Sequence, residues 1–406
     1  MKNVLRIFRS LMPIFLTGVM LMCVVACSKD DPKDDDTNSR SVLVYISAQN
    51  SLMGNENNDI VEMLAGTLSM GEHDHLVVFV DNNNKSRIYE ITRNTTATTP
   101  YNLTPVYVYD DNLNSATPLV FDRVLDYFFE HYKAKDYGLV LWSHGSGWIN
   151  ATNKVQQRRS FAVDTSNGTT RMLITDMAEV LSKYPKFEYI LFDACFMQTI
   201  EVAYEFRGAA KYIIGSPAEI PGAGAPYKQM IPALFLHDTE HKIAKDIVDA
   251  YGSYYNSETR SGGGVVLSAI RTSEFDAFVD VMAEMFDKYS FLDESKYTNC
   301  LNYYLYEWNH TVAAYDAPDE YDIQGIMMKV LISSDDYSRW ENAFYKLSPF
   351  VSIGSDWYSA YTWALMPVDK SQCGAVSMYL PLEKYKNDEY FDYYKEIQWG
   401  KLFEIK

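Results

Sequence analysis

A histidine and a cysteine each follow a short apolar segment, and their types and positions suggest thiol chemistry. His144 lies in the stretch LVLWSHGSGW at 139–148, and Cys195 lies in YILFDACFM at 189–197, about fifty positions later. A thiolate attacks a carbonyl carbon, and an imidazole can protonate the departing amine. Gly145 has no side chain, so its backbone N–H could approach a developing oxyanion together with the N–H of Cys195. The pair therefore predicts a nucleophilic cysteine with a histidine partner.

These two residues need structural elements that place them side by side. Apolar strands alternate with amphipathic helices from Arg40 onward, which indicates a parallel sheet covered on both faces. In such sheets ligands bind at the carboxyl ends of the strands, where both residues would lie. The predicted strands are 41–49, 74–81, 86–93, 137–145, the apolar start of 189–197, the start of 210–222 (a strand and its carboxyl-end loop together), 262–271 and 374–385. The predicted helices are 54–68, 115–134, 174–184, 241–256 and 273–289.

The charge of the chain restricts the classes of partner that it can bind. Its formal net charge is −18. Binding to a nucleic acid backbone requires a positive patch that displaces counterions, so no nucleic acid partner is expected. The acidity fits a substrate with positive charge, and it fits simple solubility equally well.

The N-terminus predicts export. Basic residues precede an apolar run that is too short for a comfortable transmembrane helix, so residues 1–26 are predicted to be a secretory signal peptide. The following VVAC resembles the lipobox of bacterial lipoproteins, which implies acylation of Cys27. Residues 27–39 are polar and acidic, as expected for a disordered tether. A lipoprotein of the cell envelope and outer membrane is predicted, with exposure at the cell surface as a further expectation.

Three cysteines remain after Cys27: Cys195, Cys300 and Cys373. Three is an odd number, so at least one thiol in an exported chain is unpaired or pairs between molecules. The sequence leaves open whether Cys300 and Cys373 pair with each other.

Several segments together resemble the clostripain-like cysteine peptidases. The resemblance implies a caspase-like α/β fold with a mostly parallel central sheet flanked by helices, in a peptidase domain at 40–406. The part from about 285 is rich in aromatic residues and is predicted to be largely helical. The matching segments are VLVYISAQNSL, LVLWSHGSGW, FAVDTSNGTTRMLITDMAEVL, YILFDACFMQTIEVAYE, GSPAEIPGAGAPY, VVLSAIR and GAVSMYLP.

The resemblance also implies roles for single residues. His144 and Cys195 would form the catalytic dyad of an endopeptidase that cleaves after Arg or Lys. Asp193 would line the floor of the specificity pocket, and the alternative is a strand-end carboxylate that caps backbone N–H groups. Ser216 and Glu219 are carried over as residues near the pocket. Members of this family are often matured by self-cleavage between the dyad residues, and the candidate sites here are Lys154, Arg158 and Arg159.

The predicted partners are peptides and proteins with basic residues, together with the membrane through the lipid anchor, and a monomer is expected. Some relatives depend on calcium, but the sequence has no calcium-binding loop of the EF-hand kind and no zinc motif, so no cofactor or metal is predicted. Gly224-Ala225-Pro226-Tyr227 departs from the family's Gly-Trp-x-Tyr. The alternative function is a non-catalytic surface lipoprotein that binds peptides or glycans on a retained peptidase fold.

Overall fold

The computed structural model describes residues 39–148, 161–166, 168–257, 263–308, 311–314, 319–360, 362–387 and 389–403. These residues belong to the unit that spans Asp36–Lys406. The predicted signal peptide, Cys27 and the tether up to residue 38 lie outside the described residues. The candidate cleavage residues Lys154, Arg158 and Arg159 also lie outside them.

The helices and strands alternate along the first two thirds of the chain. The helices are α1 (Asn55–Gly66), α2 (Pro118–His131), α3 (Ile174–Leu181), α4 (Ile200–Glu205), α5 (Tyr227–Leu234), α6 (Glu240–Tyr255), α7 (Phe275–Lys288), α8 (Ile323–Val330), α9 (Ser334–Leu347) and α10 (Glu389–Tyr394). The strands are β1 (Arg40–Ser47), β2 (His75–Asp81), β3 (Arg87–Ile91), β4 (Tyr107–Val108), β5 (Asp136–Trp142), β6 (Phe161–Asp164), β7 (Thr170–Met172), β8 (Phe187–Asp193), β9 (Ala210–Gly215), β10 (Val266–Arg271), β11 (Leu305–Trp308), β12 (Thr311–Ala314), β13 (Glu320–Asp322), β14 (Phe350–Ile353), β15 (Asp356–Ser359), β16 (Ala364–Pro367) and β17 (Ser377–Tyr379).

Among the described residues, nine strands form a central sheet in the order β14-β10-β9-β8-β5-β1-β2-β3-β4. The five strands from β9 to β2 run parallel to their neighbours. The strands outside them, β10 and β14 on one side and β3 and β4 on the other, pair antiparallel. This arrangement confirms the predicted mostly parallel central sheet.

The strands are apolar along their whole length because both faces of the sheet are covered. Along β1, Leu43 and Tyr45 belong to one hydrophobic core, and Val42, Val44 and Ile46 belong to the other. Helices α1, α5 and α6 pack on the second face, whereas α2, α3, α7 and the C-terminal elements pack on the first. The central strands are therefore held from both sides, and their carboxyl ends form a rigid edge.

The C-terminal part differs from the prediction of a largely helical extension. Beyond residue 290, the described residues contain α8, α9 and α10 together with seven short strands, β11–β17. One of these strands, β14, extends the central sheet, and the others form two-stranded ladders such as β13–β17. Apolar residues in these short segments pack on the first core, so tertiary contacts rather than helical periodicity determine their conformation.

Candidate active site

His144 and Cys195 lie at the same edge of the central sheet. Trp142, the last residue of β5, is paired in register with Asp193, the last residue of β8. Each candidate catalytic residue follows its strand end by two positions, so the two loops lie side by side. Parallel pairing therefore brings together residues that are about fifty positions apart in sequence.

Both residues line one cleft of about 350 Å³. Asp193, Gly145 and Glu219 line the same cleft. The remaining lining residues are Leu52, Trp142, Ser143, Phe196, Ile220, Pro221, Gly222, Gly224 and Ala360. The predicted dyad, the candidate oxyanion glycine and the candidate pocket carboxylate thus share one concave site.

The histidine loop and the cysteine loop pack tightly at Gly145. A Cβ atom at this position would lie 2.6 Å from the carbonyl oxygen of Cys195 and 2.9 Å from the Cβ of Ala194. Real Cβ atoms do not approach backbone atoms this closely, so only glycine allows the two loops to meet.

We expect Gly145→Ala to reduce kcat/KM for any substrate of this site by about a hundredfold or more, because the added methyl group forces the two loops apart. Gly208→Ala is the matched control, since a Cβ there meets open space. Steady-state kinetics and thermal unfolding of both variants check the result. Unchanged kinetics in Gly145→Ala would show that the loop spacing is not needed for activity.

The thiol and the imidazole are both neutral in the empty cleft near neutral pH. Burial and the nearby carboxylate of Glu219 raise the pKa of the Cys195 thiol to about 12. Burial and the positive charge of Arg171 lower the pKa of His144 to about 4. The Cys195 sulfur accepts a hydrogen bond from the backbone N–H of Ile220 at 3.4 Å. The resting pair is therefore a thiol and a free imidazole base.

The turn after Cys195 holds an unusual backbone conformation. Phe196 has φ 62°, in the left-handed region that non-glycine residues rarely adopt. Its ring stacks on Tyr304 with the centroids 4.5 Å apart, and its N–H donates to the carbonyl of Ala218 at 3.0 Å. These contacts hold the turn that carries the thiol.

Asp193 is a buried residue that lines the cleft, and it is only 3% exposed. One oxygen, Oδ2, accepts hydrogen bonds from the N–H of Ala225 at 3.0 Å and from the Tyr227 hydroxyl at 2.9 Å. The other oxygen, Oδ1, accepts from the Tyr251 hydroxyl at 3.2 Å. Burial raises the pKa of Asp193 to about 6, and the hydrogen bonds oppose this rise. The group is therefore mostly ionised near neutral pH.

Glu219 and Ser216 occupy different positions relative to the cleft. Glu219 lines it, and one of its carboxylate oxygens accepts from the N–H of Ala360, in the turn between β15 and β16, at 3.1 Å. Ser216 is fully buried, does not line the cleft, and hydrogen-bonds through its side chain to the backbone of Ala218. Its carbonyl accepts from the N–H of Gln198, so it supports the turn after Cys195.

Sequence reasoning missed several residues of the site. Tyr227 on α5 and Tyr251 on α6 donate hydrogen bonds from their hydroxyls to the carboxylate of Asp193. Ser51, in the loop after β1, places its hydroxyl oxygen 2.8 Å from His144 Nε2. A usable signal existed for Ser51, because its loop follows the carboxyl end of a central strand. The tyrosines gave no such signal, since an apolar helix face buries tyrosine as readily.

The remaining sequence predictions concern cysteines, metals and the membrane. Cys195, Cys300 and Cys373 are free thiols in the structure. Within the described ranges, no group of three or more His, Cys, Asp or Glu side chains could hold a metal ion. The same part of the chain contains no helix with the length and apolar character that a membrane span needs.

Comparison with known proteins identifies the family. The model of the clostripain family matches residues 44–404. The chain belongs to the clostripain family. Clostripain from Hathewaya histolytica is 25% identical over 219 residues, which cover 47% of this chain. The chain spans only 41% of the length of that relative.

Solved structures of this clostripain family cover almost the whole chain. A secreted C11 cysteine protease from Bacteroides thetaiotaomicron, solved with an irreversible peptide inhibitor, is 31% identical with a TM-score of 0.74. The alignment covers 90% of this chain and 98% of that one. An inactive zymogen C11 protease from Parabacteroides distasonis is 26% identical with a TM-score of 0.70, over 89% and 97% of the two chains. These likenesses confirm the predicted caspase-like fold of the clostripain family.

Proposed function

We propose that this clostripain-family chain is an exported cysteine endopeptidase that cleaves peptide bonds after Lys or Arg. The observation that carries the proposal is one cleft lined by the Cys195 thiol, the His144 imidazole and the buried carboxylate of Asp193. Nucleophile, base and a receptor for a basic side chain are what such a reaction needs. The secreted C11 proteases among the solved structures support export.

The reaction begins from the neutral pair. His144 takes the proton of the Cys195 thiol, and the sulfur forms a bond to the substrate carbonyl carbon, whose oxygen becomes negative. The N–H groups of Gly145 and Cys195 stabilise this oxyanion. The intermediate collapses, the C–N bond breaks, and the imidazolium gives its proton to the departing amine. A water molecule then hydrolyses the thioester and restores the thiol.

The neutral resting state implies that substrate binding helps to form the thiolate. With the pKa of Cys195 raised to about 12 and that of His144 lowered to about 4, the ion pair is a minor form in the empty cleft. A substrate cation placed over Asp193 neutralises part of the negative field that opposes the thiolate, since the charge of Asp193 contributes to the raised pKa of Cys195. Cleavage is therefore coupled to occupation of the basic pocket.

The hydrogen bonds on Asp193 set how a basic side chain binds. A carboxylate offers about four acceptor sites, and three are occupied here. One site remains, on Oδ1. A lysine ammonium needs one site, whereas a bidentate guanidinium needs one on each oxygen. We therefore expect lysine to bind without rearrangement and arginine to require one tyrosine hydroxyl to turn away.

Fluorogenic peptide amides with Lys, Arg or Asp before the scissile bond test the proposed function directly. We expect kcat/KM to be highest for Lys, lower for Arg and undetectable for Asp. If correctly folded protein hydrolyses none of these amides and binds glycans or peptides instead, the non-catalytic alternative replaces the proposal.

We also propose that Cys27 is acylated and anchors the protein to the outer membrane. The support is the apolar run followed by VVAC. We expect wild-type protein in the native host to fractionate with membranes and Cys27→Ser to move to the soluble fraction, because the lipid chains supply the membrane affinity. Cys300→Ser is the control for loss of a thiol. A Cys27→Ser protein that stays in the membrane fraction would refute the lipid anchor.

Self-cleavage after Lys154, Arg158 or Arg159 is part of the same proposal. These basic residues stand between the dyad residues in sequence and match the proposed specificity. The inactive zymogen among the solved relatives supports a maturation step of this kind. The test is the band pattern of Cys195→Ala protein on a denaturing gel.

A further inference from the structure

Within the described residues, the only hydrogen bond that the structure gives to the His144 ring joins it to a serine. The Oγ of Ser51 lies 2.8 Å from His144 Nε2. Ser51 is exposed and stands in the loop between β1 and α1, whereas His144 stands in the loop after β5. The contact thus joins the ends of two neighbouring parallel strands.

A network of partly buried polar groups fixes the position of Ser51. The side chain of the preceding residue, Asn50, donates to the carbonyls of Ser47 at 2.9 Å and Val163 at 2.8 Å, and it accepts from the N–H of Leu52 at 2.9 Å. The residue before the histidine, Ser143, donates to the same Ser47 carbonyl at 2.8 Å.

The two loops are therefore joined at successive positions. Asn50 and Ser143 share the Ser47 carbonyl, and the next residues, Ser51 and His144, contact each other. A hydroxyl on a loop held in this way loses little entropy when it orders the ring.

We propose that Ser51 is a positioning residue for His144: its hydroxyl oxygen accepts the Nε2–H, which fixes the tautomer and leaves Nδ1 as the base toward the cleft. This inference rests on the proposed function, in which His144 takes the thiol proton. The second nitrogen of a catalytic imidazole needs a partner that sets the tautomer, and this role often falls to a carboxylate or a carbonyl.

A hydroxyl has a different effect from a carboxylate on the charge of the ring. It stabilises the imidazolium through one hydrogen bond, without adding negative charge to a cleft that already contains Asp193 and Glu219. Among the described residues, the charge of Arg171 from β7 acts on His144, and the ionisable side chains that line the same cleft are Cys195, Asp193 and Glu219. Ser51 therefore lowers the free energy of the imidazolium that forms during turnover, while the ring stays neutral at rest.

Ser51→Ala tests this role. We expect kcat/KM to fall roughly tenfold with KM little changed, because a lost hydrogen bond to a charged group has about this effect. We also expect the acidic limb of the pH profile of kcat, measured at saturating substrate, to move to lower pH by up to about one unit, since the variant loses a group that stabilises the protonated ring. Ser51→Thr keeps the hydroxyl and should restore both properties.

Ser69→Ala is the matched control, because Ser69 is also exposed and its side chain also makes a single hydrogen bond, to the carbonyl of Gly66. If the role of Ser51 were merely structural, Ser51→Ala would lower the rate by the same factor at every pH, and the acidic limb of the pH profile would not move. That result, or a Ser51→Thr protein as slow as Ser51→Ala, would overturn the inference.

The rate of Cys195 alkylation by iodoacetamide as a function of pH gives a second readout that needs no substrate. We expect Ser51→Ala to lower this rate near neutral pH and to leave the alkylation of Cys300 unchanged. If wild-type protein hydrolyses no amide, the proposed function fails while this measurement still reports the Ser51–His144 contact. If wild-type protein hydrolyses amides and both pH profiles are the same in Ser51→Ala, only the role of Ser51 fails.

Discussion

We expect replacement of Cys195 by alanine to abolish amide hydrolysis and to leave a single uncut chain, because the sulfur that would form the covalent intermediate is gone. We expect kcat to fall by at least about a thousandfold, as for other nucleophile deletions. His144→Ala should give the same loss with the thiol still present. Fluorogenic assays and denaturing gels of wild-type, Cys195→Ala and His144→Ala protein measure both effects.

Cys300→Ala is the matched control for this experiment. Cys300 is also half-buried, and burial raises the pKa of its thiol to about 11, but it does not line the cleft. We expect it to keep full activity. If Cys195→Ala retained activity, or if it showed the same cut bands as wild-type protein, another nucleophile or another protease would be responsible.

Replacement of Asp193 by asparagine removes the charge that, in the proposed function, receives a basic side chain. We expect kcat/KM for Lys and Arg substrates to fall by about a hundredfold to a thousandfold, because the substrate cation is then buried without a counter-ion. Amides with norleucine at the same position carry no charge and should change little. Asparagine can still accept from Ala225 and Tyr227, so the thermal unfolding temperature should not decrease.

The pH dependence of substrate binding follows from the same carboxylate. Burial raises the pKa of Asp193 to about 6, so the pocket loses its charge as the pH falls through this value. KM for Lys substrates should therefore be constant above about pH 7 and rise below about pH 6, and Asp193→Asn should lose this dependence.

Asp322→Asn is a matched control for the loss of a buried carboxylate. Asp322 is fully buried, accepts from the Tyr303 hydroxyl and from the N–H groups of Gly374 and Ala375, and burial raises its pKa to about 6 as well. It does not line the cleft, so its replacement should leave specificity unchanged. Equal losses for charged and uncharged substrates in Asp193→Asn would contradict the proposed pocket.

The sheet and its edge could be predicted from the sequence, because their signals are local. Continuous apolar runs such as LVLW predict strands that are buried on both faces, and parallel strands place their carboxyl ends at one edge. That rule alone brings His144 and Cys195 together. The C-terminal strands could not be predicted in the same way, since each has only three or four residues. In addition, β13 and β14 pair with the distant strands β17 and β10.

The surroundings of the site were less predictable than its position. The thiol and the imidazole are neutral because several elements bury them at once. Such burial cannot be inferred from any single segment of the sequence. Ser216 illustrates the opposite case: the family resemblance suggested a place near the pocket, but its hydroxyl bonds to the backbone of Ala218. A polar residue type does not determine the direction in which its side chain points.

The last thirty residues hold the helix that follows the nucleophile. The buried Glu201 on α4 accepts from the N–H of Tyr379, the carbonyl of Gln198 accepts from the N–H of Ser377, and Glu205 accepts from the N–H of Gln398. Without these partners the carboxylates of α4 would be solvated and the helix would pack loosely. Loss of residues 377–398 would therefore disturb the segment that follows Cys195 and, with it, the candidate active site.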